Sequence, residues 1–199
     1  MKIIRENLEK KGYKVSVFDT AVQAANYMSS AVTDTTVGIG GSMSVLEMGL
    51  YEKLSANNSV YWHWKATANM SGTKMMEMAR KADIYICSVN GIARTGEIIN
   101  IDGNGNRIAE TLYGHKKVYL IVGENKIAPD FEKAVWRARN IAAPLNAKRL
   151  GAATPCAVKG DRCYNCSSPA KICRGVSVFI EKPTGCEYEI VLVKEKLGY

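Results

Sequence analysis

Short apolar runs alternating with helix-patterned stretches constrain this chain more than any other feature of it. Tyr13–Phe18 (YKVSVF) alternates like a strand, while Thr36–Ile39, Val60–Trp64, Ile84–Cys87 and Val118–Val122 are brief runs bounded by turn residues. Such runs are the mark of parallel strands buried on both faces. Residues 1–11, Thr20–Ala31, Ser44–Leu54 and Pro129–Leu145 carry helical patterns, the last with proline at its start and Pro144 near its end. Val176–Ile180 and Glu187–Val193 read as two closing strands. Strands separated by helices predict an α/β fold in three layers: a mainly parallel, twisted sheet with helices on both faces. Ile98–Asp102 and Arg107–Glu110 flank Gly-Asn-Gly-Asn, which predicts a hairpin. With no internal repeat or linker, the expectation is one α/β domain over residues 1–199, with an irregular cysteine-bearing loop at 151–174.

A chain of 199 residues, 47% hydrophobic and 23% charged, has enough apolar material for a full core. No run approaches the roughly 18 unbroken apolar residues of a membrane span, so none is expected. The opening MKIIRENLEKKGYKV is charged throughout and lacks the apolar centre of a signal peptide. This predicts a cytoplasmic protein, where thiols stay reduced and a cysteine cluster reads as metal-binding or catalytic. The net charge is +8, and Lys148, Arg149, Lys159, Arg162, Lys171 and Arg174 cluster around a single anion, Asp161. Only Tyr164 interleaves them and no nucleic-acid motif is present, so nucleic acid is not expected as a partner. A small anionic metabolite, or an anionic metal–thiolate cluster, suits the charge better.

Four of the six cysteines, Cys156, Cys163, Cys166 and Cys173, fall within eighteen positions with the spacing C-x6-C-x2-C-x6-C. Only Cys163 and Cys166 form the C-x2-C pair common to zinc and redox sites. The adjacent cations would favour thiolates, the ligating form. A metal or iron–sulfur cluster, redox-active thiols, and inert free thiols all stay open on spacing alone. Cys87 and Cys186 read as small buried hydrophobes.

Val37–Leu50 (VGIGGSMSVLEMGL) is a strand, a glycine turn and a helix. Gly40, Gly41 and Ser42 are candidates for binding a carboxylate or phosphate, because glycines admit close backbone approach before a helix start. The plain alternative is a tight turn followed by a capping box of Ser44 and Glu47. Ile101–Asn106 imitates a calcium loop through Asp102, Asn104 and Asn106. Arg107 and Tyr113 stand where glycine and glutamate are needed, so calcium is excluded. Ser88–Ile98 leaves a core strand and ends near Glu97, a candidate general base or nucleophile. Asn90, Thr95, Asp102, Asn104, Asn106, Arg107 and Lys126 are further candidates for the lining of a cleft. His63 lies between Trp62 and Trp64; on a strand the tryptophans would share one face and the histidine the other. With His63 and His115 far apart, a Ser-His-Asp triad has little support.

These motifs together resemble the lactate-utilisation (LUD) domain family, formerly a domain of unknown function, and especially its short stand-alone bacterial members. The resemblance rests on GIGGSMSVLEMGL, ADIYICSVNGI, TGEIINIDGNGNRIAETLYG, KVYLIVGENKI, IAAPLNAKRL, the cysteine segment ending SPAKIC, and EKLGY. It implies a fold like that of sugar-phosphate isomerases, CoA transferases and formyltetrahydrofolate cyclo-ligase. The GIGGS turn is similar in position to the phosphate-binding glycine turn of ribose-phosphate isomerases. Some family members are encoded beside iron–sulfur proteins and implicated in oxidising L-lactate to pyruvate, and the short members carry cysteines at positions resembling all four here. The implied function is a component of lactate or related organic-acid utilisation: an oxidoreductase or electron-transfer subunit with a cysteine-held iron–sulfur cluster, zinc or no cofactor being the alternatives. Iron–sulfur redox proteins are then expected partners, and a homo-oligomer is compatible with the sequence. The rival readings are an isomerase- or transferase-like enzyme using Glu97 as base, and a non-enzymatic subunit sensing metal or redox state.

Overall fold

Side-chain parity along each strand decides which layer a residue enters. A computed structural model describes all 199 residues. The chain begins with α1 (Lys2–Lys10), β1 (Lys14–Phe18), α2 (Ala21–Ala31), β2 (Thr36–Ile39), α3 (Met43–Glu47), α4 (Leu50–Ser55) and β3 (Ser59–Trp62). It continues through α5 (Gly72–Arg80), β4 (Ile84–Ser88), β5 (Gly91–Ala93), β6 (Ile98–Asp102), α6 (Asn106–Leu112), β7 (Lys117–Gly123) and β8 (Ile127–Ala128). Then come α7 (Phe131–Arg137), α8 (Ala143–Arg149), α9 (Pro155–Lys159), β9 (Gly175–Phe179) and β10 (Glu187–Val193). β1, β10, β7, β4, β2 and β3 lie side by side in that order, every neighbouring pair parallel. The α/β, mainly parallel architecture is as expected.

Tyr119, Ile121, Val191, Val193, Ile39 and Ile86 point to one face, where they pack on Ala24, Ala25 and Met28 of α2 and on Val45, Leu50 and Leu54 of α3 and α4. Val118, Leu120, Val122, Ile190 and Leu192 alternate with them and point to the other, against Ile4 and Leu8 of α1. Gly38 also looks that way and lets α5 approach so closely that a Cβ would sit 2.5 Å from the Ala79 carbonyl oxygen.

Helices do not cover this second face alone. A four-stranded sheet, β8–β5–β6–β9, lies over it, with Ile92, Ile98 and Phe179 facing the larger sheet. Its outer residues Ile99 and Ile101 meet Ala134 and Ala138 of the following helix. β5 has three residues and β8 two, too few to leave a periodic signal in the sequence.

Three local readings are corrected. The expected hairpin does not form: Gly105 adopts a left-handed φ of 82° and starts α6, so Arg107–Glu110 is helical, while β6 pairs instead with β5 and β9. The helix read over Ser44–Leu54 breaks at Gly49, also left-handed at 59°. The helix read over Pro129–Leu145 starts after Asp130, whose carboxylate accepts from Lys133 N, and runs on through Pro144 to Arg149. It does so by widening to a π turn over Ala138–Ala142, closed by Ala143 N donating to Ala138 O. Proline has no N–H for the carbonyl four residues back and its ring crowds that turn; the wider turn relieves both.

Glu189, in the middle of the large sheet, has a fully buried side chain. It accepts from Tyr27 Oη (2.5 Å), Ser16 Oγ (2.7 Å) and Lys117 Nζ (2.9 Å), with Lys14 Nζ at 3.0 Å. Burial alone would raise this carboxyl; the four donors outweigh it and hold the group down to about 2. A carboxyl depressed in the folded state contributes stability above its unfolded value of about 4.3, and that stability is lost as pH falls through about 2. The folded chain should therefore lose roughly 3 kcal/mol from this group between pH 5 and 2. Urea unfolding at stepped pH should show that loss in the wild type and not in Glu189→Gln; parallel slopes would refute it.

Candidate functional site

In an open parallel sheet the backbone polar groups at the strand carboxyl ends converge on one side, where ligands bind. That side holds a cavity of about 270 Å³. Gly41, Ser42 and Met43 enter from the end of β2, His63 and Trp64 from β3, and Ser88, Val89 and Asn90 from β4. Lys126 follows β7, Tyr199 follows β10, and α8 brings Ala143, Asn146 and Arg149. Ile101–Asn104, Asn106 and Arg107 close one side, and Ile172 of the cysteine segment completes the wall.

Of the residues singled out in the sequence, Gly41, Ser42, Asn90, Asp102, Asn104, Asn106, Arg107 and Lys126 all line this cavity. Gly40 lies just beneath it, where a Cβ would be 2.7 Å from Tyr85 Oη and 3.1 Å from Cys87 Cβ. Neither Gly40 nor Gly41 has a left-handed φ; close packing, not turn geometry, requires the glycine at 40. The capping box of Ser44 and Glu47 does not form: Ser42 Oγ alone caps α3 by accepting from Val45 N, while Glu47 accepts from Gly198 N. Thr95 and Glu97 are elsewhere. They bond each other in the turn between β5 and β6, and Glu97 pairs with Lys11 at 3.1 Å. That ion pair, away from the cavity wall, leaves Glu97 without the position the base role requires.

Arg107 is anchored by four hydrogen bonds, to Ser88 O (3.1 Å), Asn100 Oδ1 (2.6 Å), Asn90 Oδ1 (2.8 Å) and Ile101 O (2.7 Å). It lends the cavity positive charge while tying β4 to β6 and α6. Asp102 Oδ2 accepts from Ile108 N, holding the start of α6. Arg149 is braced by Asn146 Oδ1 and Tyr199 Oη and stacks over Trp64 at 4.8 Å, leaving Nη1 without a protein partner. β3 ends at Trp62, and a 3₁₀ turn over His63–Lys65 brings His63 and Trp64 to the cavity together, against the strand alternation expected of them. Trp62 stays in the core, stacked on Trp64. Burial, then Arg149, lowers the His63 pKa.

Ser44, His63, Trp64 and Arg149 were read in other roles, and Ser88, Asn146 and Tyr199 were not singled out. Ser88, a polar end to the core strand IYICS, is the one that carried a local signal. Lys126 is only 3% exposed and donates to Ser44 Oγ (2.8 Å) and Ser88 Oγ (2.7 Å). Burial first, then the charges of Arg137 and Arg107, bring its amine down to about 7, against smaller opposing effects of Glu47 and Cys87.

Cys156, Cys163, Cys166 and Cys173 all line a second, small cavity of about 20 Å³, and Ala143 and Ile172 are shared by its wall and that of the larger one. Nowhere are three or more His, Cys, Asp or Glu side chains gathered into a metal-coordinating group. The segment is less irregular than expected: Cys156 sits in α9, which starts with Pro155. The π turn secures the rest, through Asn140 Oδ1 accepting from Cys163 N (3.3 Å) and Arg139 donating to Asn165 Oδ1 (3.2 Å). Asn165 has a left-handed φ of 48°, and its N–H donates to Cys163 Sγ at 3.4 Å. Burial raises the Cys173 thiol, Lys171 opposing only in part; Lys159 and Arg162 lie over the ring of Tyr164. Cys87 is fully buried, with its thiol pushed up to about 11 by burial; Cys186 is only partly covered.

The family model of the LUD domain matches residues 1–193, and the chain belongs to that family, which is associated with lactate utilisation. A crystal structure of a DUF162 family protein from Deinococcus radiodurans has the same fold, with a TM-score of 0.56 at 12% identity over 96% of this chain and 94% of that one. Ribose 5-phosphate isomerase from Plasmodium falciparum matches 54% of this chain and 52% of its own at 18% identity, with a TM-score of 0.33, too slight a likeness to carry an inference. No curated protein sequence matches the chain. No helix is long and apolar enough to cross a membrane.

An amine near 7 when folded, against about 10.4 when unfolded, makes folding costly wherever the unfolded chain holds the extra proton. The cost is full below pH 7 and fades toward pH 10.4. Lys126→Met should therefore stabilise the chain more at pH 6 than at pH 9.5, by about 3 kcal/mol, in urea titrations at the two pH values. An equal effect at both would show that Lys126 titrates normally.

Proposed function

We propose that the chain is a component of organic-acid oxidation that binds a small carboxylate in the larger cavity and holds a thiolate-bound metal or iron–sulfur cluster beside it. The observation that carries this reading is the shared wall: Ala143 and Ile172 separate four cysteines from a cavity lined by Lys126, Arg107 and Arg149. Asp102 is the one carboxylate among the lining residues, so an anionic substrate finds net attraction there. The unpartnered Nη1 of Arg149 and the side chains of Ser42, Asn104, Asn106 and Asn146 supply donors for a carboxylate.

Four thiols are a soft donor set suited to iron or zinc, and the N–H from Asn165 to Cys163 Sγ is of the kind that tunes cluster sulfurs. Cys156, Cys163, Cys166 and Cys173 would hold the group, which when bound would pass single electrons to or from the neighbouring cavity. The chain's own residues attract the carboxylate, orient it against Ser42 and the asparagines, and keep the amine of Lys126 out of bulk water.

A second reading, a subunit that senses redox state through reversible disulfides, is favoured by the four free thiols facing so small a space. Anaerobic reconstitution with iron and sulfide separates the two. Stoichiometric iron with charge-transfer absorbance, lost in each of the four single Cys→Ser variants, is the expected result. No stoichiometric iron, and zinc held no tighter than by the quadruple serine variant, would overturn the cluster.

The carboxylate site has its own test. A Cβ at Gly41 would stand 3.4 Å from Trp64 Cζ2 and 3.6 Å from His63 Cε1, at the cavity wall. Gly41→Val should weaken binding of lactate or pyruvate at least about tenfold in calorimetry, about 1.4 kcal/mol, with little change in Tm. If lactate, pyruvate, phosphate and sulfate all fail to bind the wild type, the anion site is refuted.

A further inference from the structure

We infer that Lys126 is the acid–base group of the larger cavity, exchanging protons with a carbon or oxygen next to the carbonyl or carboxylate of the bound substrate. The inference deepens the reading of that cavity as a carboxylate site and depends on it. Its ground is the way the two serine hydroxyls are committed. Ser88 Oγ donates its proton to Ile121 O at 2.5 Å, and Ser44 Oγ directs its own to Leu197 O at 3.1 Å, with Ser88 Oγ at 3.3 Å. Both hydroxyls therefore meet Lys126 Nζ as acceptors, at 2.8 and 2.7 Å.

A lysine amine has four tetrahedral positions, one taken by its own carbon. The two serines take two N–H bonds, and these are the same whether the amine is neutral or charged. The remaining position is a lone pair in one state and an N–H in the other. It belongs to a side chain that forms part of the cavity wall, beside Ser42, Ser88 and Asn90. A proton can enter or leave there with no change in the other bonds, so the exchange needs little reorganisation.

The charged groups around Nζ fit this role. Arg137, whose Nε and Nη1 are taken by Asn125 O (2.7 Å) and Asn90 O (2.5 Å), and Arg107, whose Nη1 and Nη2 are held by four oxygens, disfavour a third cation near them. Glu47 and the buried Cys87 thiol oppose them weakly. The neutral amine is thus populated at physiological pH, as a general base requires. The same cations would stabilise an enolate or alkoxide formed in the cavity. Glu97, the carboxylate that the sequence suggested for this task, is paired with Lys11 elsewhere.

The step balances without an oxidant. Nζ takes a proton from the carbon next to the carbonyl, the electron pair of the broken C–H bond moves into the enolate, and the ammonium returns a proton to the same carbon. In D₂O the ammonium exchanges with solvent, so the substrate returns deuterated. Pyruvate is the smallest suitable probe, since it carries a carboxylate and exchangeable methyl protons beside a carbonyl. Its methyl signal in proton NMR should decay faster with the full-length protein than in buffer, the rate rising with pH through about 7 and then levelling. Lys126→Met and Lys126→Arg should each lower the protein-catalysed rate at least about 100-fold, arginine being unable to release its proton. Ser88→Ala should keep exchange but shift its pH profile. Circular dichroism and pyruvate binding, measured on the same samples, confirm that each variant is folded and loaded. Binding without accelerated exchange, or exchange that survives in Lys126→Met, overturns the role of Lys126 and leaves the carboxylate site standing. Failure of the wild type to bind pyruvate overturns both.

Discussion

Everything in this molecule depends on burying both faces of one parallel sheet. A parallel strand cannot turn directly into its neighbour, so each connection must cross over the sheet, and the crossovers supply the covering layers. The same rule brings the carboxyl ends of β2, β3, β4, β7 and β10 to one side. Segments far apart in sequence, from Gly41 to Tyr199, meet there without any one of them being long. The second face is covered partly by α1 and α5 and partly by the small sheet, whose inner residues Ile92, Ile98 and Phe179 extend the same core.

Polar groups at the head of this core survive because nearly all of them are partnered. Burying an amine or guanidinium in an apolar surround is costly unless fixed acceptors replace water. Arg107 and Arg137 meet that condition through backbone and asparagine oxygens, and Lys126 through two serine hydroxyls that spend their own protons on backbone carbonyls. The result is a rigid, positively charged floor in which the lysine is the group least able to stay protonated.

The two cavities share a wall at Ala143, directly after the π turn between α7 and α8, and at Ile172. Pro144 forces the wider turn, and the turn exposes Arg139 and Asn140 to hold the loop carrying Cys163 and Asn165. Arg174 N, donating to Asp102 O, pins the other end of that loop to the rim of the larger cavity. A helix of ordinary pitch would present other side chains at this point, so one proline sets the relation of the cysteines to the cationic cavity.

Short apolar runs alternating with period-3.6 stretches determined the α/β class and the parallel sheet, because strands buried on both faces are nearly uniformly apolar and crossover helices are amphipathic. That Gly41, Ser42, Asn90, Lys126 and most of the Asp102–Arg107 segment share one cavity wall was legible, because polar and glycine-rich stretches directly after core strands fall at carboxyl ends. Three-dimensional structure alone decided the rest. β5 and β8 are too short to leave a pattern, and Gly105 can open a helix as readily as a hairpin. Arg149 and Tyr199 reach the cavity only through the packing of α8 and of the segment after β10. Sequence offered Glu97 as a base and Lys126 only as a cleft-lining residue, each in a short connection between strands. Their surroundings separate them: Lys11 pairs with Glu97, while Lys126 is buried near two arginines with no carboxylate in direct contact.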